Sequence, residues 1–237
     1  MKEWFAEIAT AFSQTFIEAN RWKALLSSIG VTLRITFFAL ILGLILGILV
    51  AVVRSSHDQL EMDGKSNKII NILNSLCSLY LTVIRGTPVM VQMMIMYFVI
   101  MASTTNKILV GTITFGINSG AYVAEIIRSG IMSIDKGQME AGRSLGFNYV
   151  QTMGFIIIPQ AIKNILPALG NEFIALLKET SIVNIIGIKD LTKWAMNVQG
   201  RTYEAFMPFI GIAAIYLVIV IGISKLMSLL ERKMRNE

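Results

Sequence analysis

From Ile35 to Val53 the chain runs without a single charged residue, and about 20 mostly apolar residues in a helix are what a bilayer core requires. In hydrocarbon every backbone N–H and C=O must find its partner inside the segment, which a helix provides. The helix is expected to begin near Trp22. Four more apolar regions follow, Ile69 to Met101, Ile108 to Ile134, Leu166 to Ile188 and Ala205 to Leu230. The second is interrupted at Arg85-Gly86-Thr87-Pro88, the third holds Glu125 and Arg128, and the fourth holds Glu172, Lys178 and Glu179. Five spans imply an all-α integral membrane protein, multi-pass, with its termini on opposite faces.

Composition agrees. Hydrophobic residues make up 54% of the chain, mean hydropathy is +0.65 and only 15% of residues are charged, against about 25% in a soluble domain. No separate polar domain can be cut out, so residues 1–237 are expected to form one transmembrane domain. Glu3, Glu7 and Glu18 exclude a cleavable signal core at the N-terminus. Residues 1–20, with Trp4, Phe5, Ile8, Phe12, Phe16 and Ile17 among polar neighbours, suit an amphipathic helix lying in the interface. Lys189 to Glu204 has the same character, and either caps the outer mouth of a pathway or rests at the interface.

Basic residues near span ends set orientation. Arg54, Lys65, Lys68, Lys136, Arg143, Lys225, Arg232, Lys233 and Arg235 are assigned to the cytoplasm; Lys2, Arg21, Lys23, Lys107, Lys189, Lys193 and Arg201 fall outside. The N-terminus is therefore expected out and the C-terminus in. The net charge of +6 then meets anionic lipid and requires no nucleic acid.

Several motifs carry little. Gly64-Lys65-Ser66 ends like a phosphate loop, but Gln59 stands where that loop needs Gly, so no ATP site is expected in this chain. Gly43 and Gly47 form a GxxxG pair, a weak packing signal. The single histidine, His57, is read as solvated in a polar loop, and the single cysteine, Cys77, as a packing residue. With no nucleophile–base pair, ligand cluster or cofactor fingerprint, the sequence offers neither a catalytic centre nor a metal site.

Charges inside spans are costly unless paired or hydrated. Pro88 displaces the carbonyl of Ile84, so the helix should break beside Arg85. A guanidinium beside freed backbone groups suits a ligand carboxylate; the alternative is a structural salt bridge from Arg85 to Glu125 or Glu172. Either carboxylate is equally able to take a substrate ammonium or to pair with a basic neighbour. Together these charges suit the carriage of a zwitterion.

Between the third and fourth spans lies a polar segment, residues 135–159, whose Gln138, Glu140, Arg143, Asn148 and Gln151 cannot sit in hydrocarbon. It must be presented at a membrane face. Glu140-Ala141-Gly142, then Gly146, Ile156 and Ile158-Pro159, resemble the EAA loop of permease subunits of ABC importers, with Gly142 for the usual Ala and Ile158 for Leu. Arg85-Gly86-Thr87-Pro88 with Gln92, Ala121-Tyr122 with Ala124-Glu125-Ile126, Gly137-Gln138 and Lys178-Glu179-Thr180-Ser181 are similar to the polar amino acid branch, the histidine, glutamine and arginine type.

The resemblance implies a type I importer permease, not itself an enzyme, in the bacterial plasma (inner) membrane. Expected partners are an ABC ATPase subunit carrying ATP and magnesium, a second permease subunit, an external binding protein and a polar, basic L-amino acid. Gln138, Glu140, Ala141, Gly142, Arg143 and Gly146 are the expected ATPase-coupling residues. Arg85, Thr87, Gln92, Glu125 and Glu172 are the expected substrate-binding residues. The competing expectation is an ATP-independent secondary transporter or channel.

Overall fold

The computed structural model describes residues 2–62 and 64–236. Met1, Asp63 and Glu237, and the side chains of Lys2, Glu3, Phe5, Arg235 and Asn236, lie outside the described residues, so the readings placed on Lys2, Glu3, Phe5 and Arg235 do too. The described chain is helical from end to end. α1 (Lys2–Phe12) passes through a π turn and a 3-10 turn into α2 (Arg21–Met62). α3 (Lys68–Gly86) and α4 (Val89–Ile95), the latter ending in a π turn over Met96–Ile100, form the second crossing. α5 (Lys107–Met132), α6 (Lys136–Ser144) and α7 (Tyr149–Thr152) follow, then α8 (Ile158–Glu179), α9 (Leu191–Thr202) and α10 (Phe206–Asn236).

Among the described residues, four helical runs are long and apolar enough to cross a membrane: Ala6–Met62, Lys68–Gly86, Tyr149–Ile186 and Phe206–Met234. α5, with 26 residues, is also long enough to cross, about 39 Å at 1.5 Å per residue. It tolerates Thr114, Asn118 and Ser119 because it is the central helix, and those side chains are buried against protein.

The α2–α5 seam organises the fold. Contacts of Gly43 with Ser119 and of Gly47 with Val123 advance together, so the two helices run parallel. A Cβ at Gly47 would lie 2.4 Å from Val123 Cγ1, and one at Gly116 would lie 2.5 Å from Leu42 Cδ2. Each helix thus offers small residues to the other's bulk, the close approach that drives association where lipid supplies no hydrophobic force. The GxxxG pair on α2 is a real packing seam.

Three boundaries differ from expectation. α2 continues past Val53 to Met62, held against α5 by Arg54–Glu125 and Asp58–Arg128 pairs and by the buried Gln59; Arg54 and His57 therefore sit on a helix and not in a loop. α8 starts at Ile158, running on from α7 through a π turn over Met153–Ile157, and Pro159 lies where that wider turn gives way to the α-helix. It stops at Glu179, and Thr180–Ile186 tighten into a 3-10 turn closed by Gly187 at φ 80°; the helix expected over Leu166 to Ile188 is shifted accordingly.

The two amphipathic stretches pack on each other. Phe16 stacks on Trp194 at 5.7 Å between centroids, and Trp194 Nε1 donates to Arg21 O at 3.1 Å. Arg21 Nη1 donates to Gln14 O. The N-terminal segment is held to α9 through these residues, while Trp4 and Phe12 remain exposed.

Candidate functional site: an intramembrane charge cluster and a polar docking segment

Pro88 ends α3 as anticipated: Thr87 and Pro88 are extended, at ψ 145° and 133°. The displaced carbonyl of Ile84 accepts a hydrogen bond from Gln92 Nε2 at 2.8 Å. The same amide donates to Thr87 O and Thr87 Oγ1, and Gln92 Oε1 accepts from Asn118 Nδ2 at 3.0 Å. Gln92 is therefore a side-chain cap for the broken helix, which is how a membrane helix interruption is made tolerable.

About two turns beyond Asn118 on α5, Glu125 joins two arginines. Its Oε1 lies 2.8 Å from Arg54 Nη1 and its Oε2 lies 3.7 Å from Arg85 Nη1. Arg85 also lies over the Tyr122 ring, 5.5 Å from its centroid. Arg54, Arg85 and Glu125, with Ser78, Leu81, Thr82 and Gly86, line a cavity of about 400 Å³. Two cations and one anion leave a net charge of +1 at its wall. Such a cavity is sized for a small molecule, and its excess charge favours an anion.

The structure thus brings Arg85 and Glu125 together and places the other expected residues elsewhere. Thr87 and Gln92 serve the helix break. Glu172 sits on α8, where Ser119 Oγ donates to its Oε1 at 2.7 Å. Arg54, expected in the loop after the first span, lies on α2 because that helix runs on to Met62. A signal for it existed. Arg54 and Asp58 on α2 oppose Glu125 and Arg128 on α5 with complementary charges, and Arg128 Nη2 does bond Asp58 Oδ2 at 3.1 Å.

α6 opens on Asp135, whose carboxylate accepts from Gly137 N. It closes in a Schellman motif: Phe147 N donates to Gly142 O, Gly146 N donates to Arg143 O, and Gly146 has φ 84°. A side chain at 146 would be strained there, which explains glycine at that spacing. α7 then starts with a capping box between Asn148 and Gln151. The segment is a rigid helix–turn–helix, not one short helix.

Gln138, Glu140, Ala141 and Arg143 are exposed on it, and Gln138 Oε1 accepts from Gln160 Nε2 at 3.3 Å. Gly142 faces inward. It is buried against Thr152, and a Cβ there would lie 2.5 Å from Thr152 Cγ2. Leu145, Val150 and Phe155, each more than 70% exposed, add an apolar patch that sequence reasoning missed. A groove of about 450 Å³ runs beneath, lined by Asp58, Met62, Arg128, Met139, Glu140 and Arg143 among others.

Comparison with known proteins agrees with this architecture. Residues 67–236 match the model of the binding-protein-dependent transport system inner membrane component family. The chain is 40% identical over 207 residues to a putative glutamine transport system permease protein of Rickettsia typhi, covering 86% of this chain and 89% of the relative. It is 35% identical to an arginine transport system permease protein of Bacillus subtilis, covering 90% and 93%. A crystal structure of an amino acid ABC transporter with histidines superposes with a TM-score of 0.79 at 44% identity, covering 89% of this chain and 94% of that one. The chain belongs to the binding-protein-dependent transport system inner membrane component family, as the non-catalytic permease subunit of an ABC transporter.

Proposed function

We propose that this permease imports a polar L-amino acid of the glutamine, arginine and histidine class, and that the substrate carboxylate is received at the Arg54–Glu125–Arg85 cluster. The observation that carries the reading is the charge balance of that cavity. Arg54 holds Glu125 at hydrogen-bond distance, while Arg85 stands further off with its side chain 43% exposed, so its guanidinium is available to a ligand. The names of the relatives support the substrate class. A basic side chain would find Glu172 on α8.

In this reading the N-terminus lies outside and the C-terminus inside, which puts α6 in the cytoplasm. Glu140, Ala141 and Arg143, with the apolar patch of Leu145 and Val150, dock on an ATPase subunit that carries ATP and magnesium. Gly142 and Gly146 shape the segment from within. Because α5 enters α6 through only Ser133–Asp135, and α5 is locked to α2, closure of the ATPase would move α2 and α5 as one unit. A second permease copy and an external binding protein complete the assembly.

The test is accumulation of a labelled amino acid series in proteoliposomes holding the reconstituted complex. ATP-dependent uptake of the free amino acid, with exclusion of its carboxamide, supports the proposal. Equal uptake of both, or uptake indifferent to ATP, contradicts it.

A further inference from the structure

We propose that His57, Asp58 and Glu61, near the C-terminal end of α2, bind a transition-metal cation of the Zn²⁺ type. The three residues occupy positions i, i+1 and i+4 of one helix, and their donor atoms all lie within 4.8 Å of one another. Ligand atoms about 2.0–2.2 Å from a zinc ion lie roughly 3–4 Å apart, so small side-chain rotations bring this set into range.

Two further features point to a cation. His57 Nδ1 is a buried atom with no hydrogen-bond partner, and it faces Asp58 Oδ1 at 3.6 Å. A buried imidazole nitrogen with no hydrogen bond, set beside a carboxylate oxygen, is placed as two ligands of one cation would be. Asp58 is already oriented from behind: Arg128 Nε and Nη2 both donate to its Oδ2, at 3.3 and 3.1 Å, leaving Oδ1 toward His57. A carboxylate ligand steered by a second hydrogen bond is the usual arrangement around bound metals. Glu61 is exposed and free to swing in.

The donor set selects the ion. One imidazole nitrogen with two carboxylates suits zinc and its neighbours, whereas magnesium and calcium prefer all-oxygen shells. Two carboxylates and one Arg128 leave a net charge of −1 to receive it. His57 is 23% exposed and Asp58 39%, so water completes the coordination and the ion exchanges. Asp58 also lines the groove that contains Glu140 and Arg143. An ion here would stiffen the Asp58–Arg128 link between α2 and α5 beside the docking segment, a site for metal-dependent restraint of transport.

His57 is the only histidine in the chain, which makes the test clean. The full-length permease, purified on a tag free of histidine, is labelled with ¹⁵N-histidine and titrated with ZnCl₂ against a chromophoric chelator. The expected result is one equivalent bound, a shift of the Nδ1 resonance, and affinity weakened at least about ten-fold in both His57→Ala and Glu61→Gln. Both side chains are partly or fully exposed, so neither variant should disturb folding. An unmoved Nδ1 resonance in the wild type, or binding unchanged in both variants, overturns the proposal.

Discussion

Arg54 Nη1 donates to Glu125 Oε1 at 2.8 Å, fastening α2 to α5 at the wall of the cavity. The bond does more than hold two helices. It occupies the carboxylate that would otherwise neutralise Arg85.

Removing Arg54 should therefore weaken substrate handling indirectly. In Arg54→Ala, Glu125 turns to Arg85 and the cavity falls from +1 to zero. The KM for uptake is expected to rise about ten-fold, the scale of one charge-assisted hydrogen bond. Arg54→Ala/Glu125→Ala restores +1 and should recover much of that loss, a non-additivity that a purely structural role would not produce.

Gly142 tests the packing of the polar segment. Alanine usually stands there and would favour the helix by up to about 1 kcal/mol. Here Thr152 Cγ2 and Oγ1 would lie 2.5 and 2.8 Å from the new Cβ, and Thr152 is pinned by its bond to Asn148 O. Overpacking of this kind costs about 1–3 kcal/mol. Gly142→Ala should lower the thermal unfolding midpoint in detergent, and Thr152→Ser in the same chain, which removes only the methyl, should recover part of the loss; a rise in Gly142→Ala alone would refute the packing argument.

Gln92 caps the helix break. Gln92→Leu keeps the volume but leaves Ile84 O and Asn118 Nδ2 without these partners, at about 1–3 kcal/mol for each group that water cannot reach. Reduced thermal stability with more proteolysis between α3 and α4 is expected, and Gln92→Glu should preserve only the bond from Asn118.

Much of this was legible in sequence, and the exceptions have physical causes. The apolar spans, the break at Pro88 and the polar segment could be read because each follows from local chemistry. The end of α2 could not: Arg54 and Asp58 look like loop residues until Glu125 and Arg128, some seventy residues on, supply their partners. Gly142 misled for the same reason, since its constraint is Thr152 across a turn. Thr87 and Gln92 are expected from sequence to bind substrate, yet only the backbone geometry reveals that Gln92 bonds the displaced Ile84 carbonyl while Thr87 Oγ1 donates to Val83 O.

Asp190 links stability to pH. It caps α9 by accepting from Thr192 N and Lys193 N, and is fully buried. Burial pushes its carboxyl above the ordinary value, and those N–H groups pull it partly back. A raised folded-state pKa means that the folded form holds the proton more tightly. Its contribution thus favours folding below the ordinary value and is lost as pH rises through the raised one. Asp190→Asn keeps an acceptor without the charge and should match or exceed wild-type stability at neutral pH, whereas Asp190→Ala should lose about 1 kcal/mol of capping. Thermal melts of the three proteins from acidic to neutral pH decide it.

The central claim is that Arg85 receives the carboxylate of an imported amino acid. It is tested most directly by uptake of labelled substrate into proteoliposomes containing the Arg85→Ala complex, with ATPase activity followed in parallel. The account predicts a loss of about 10- to 100-fold in apparent affinity, corresponding to roughly 1.5–3 kcal/mol for a charged hydrogen bond, with the basal ATPase rate intact. Import by Arg85→Ala at wild-type affinity and rate would contradict it.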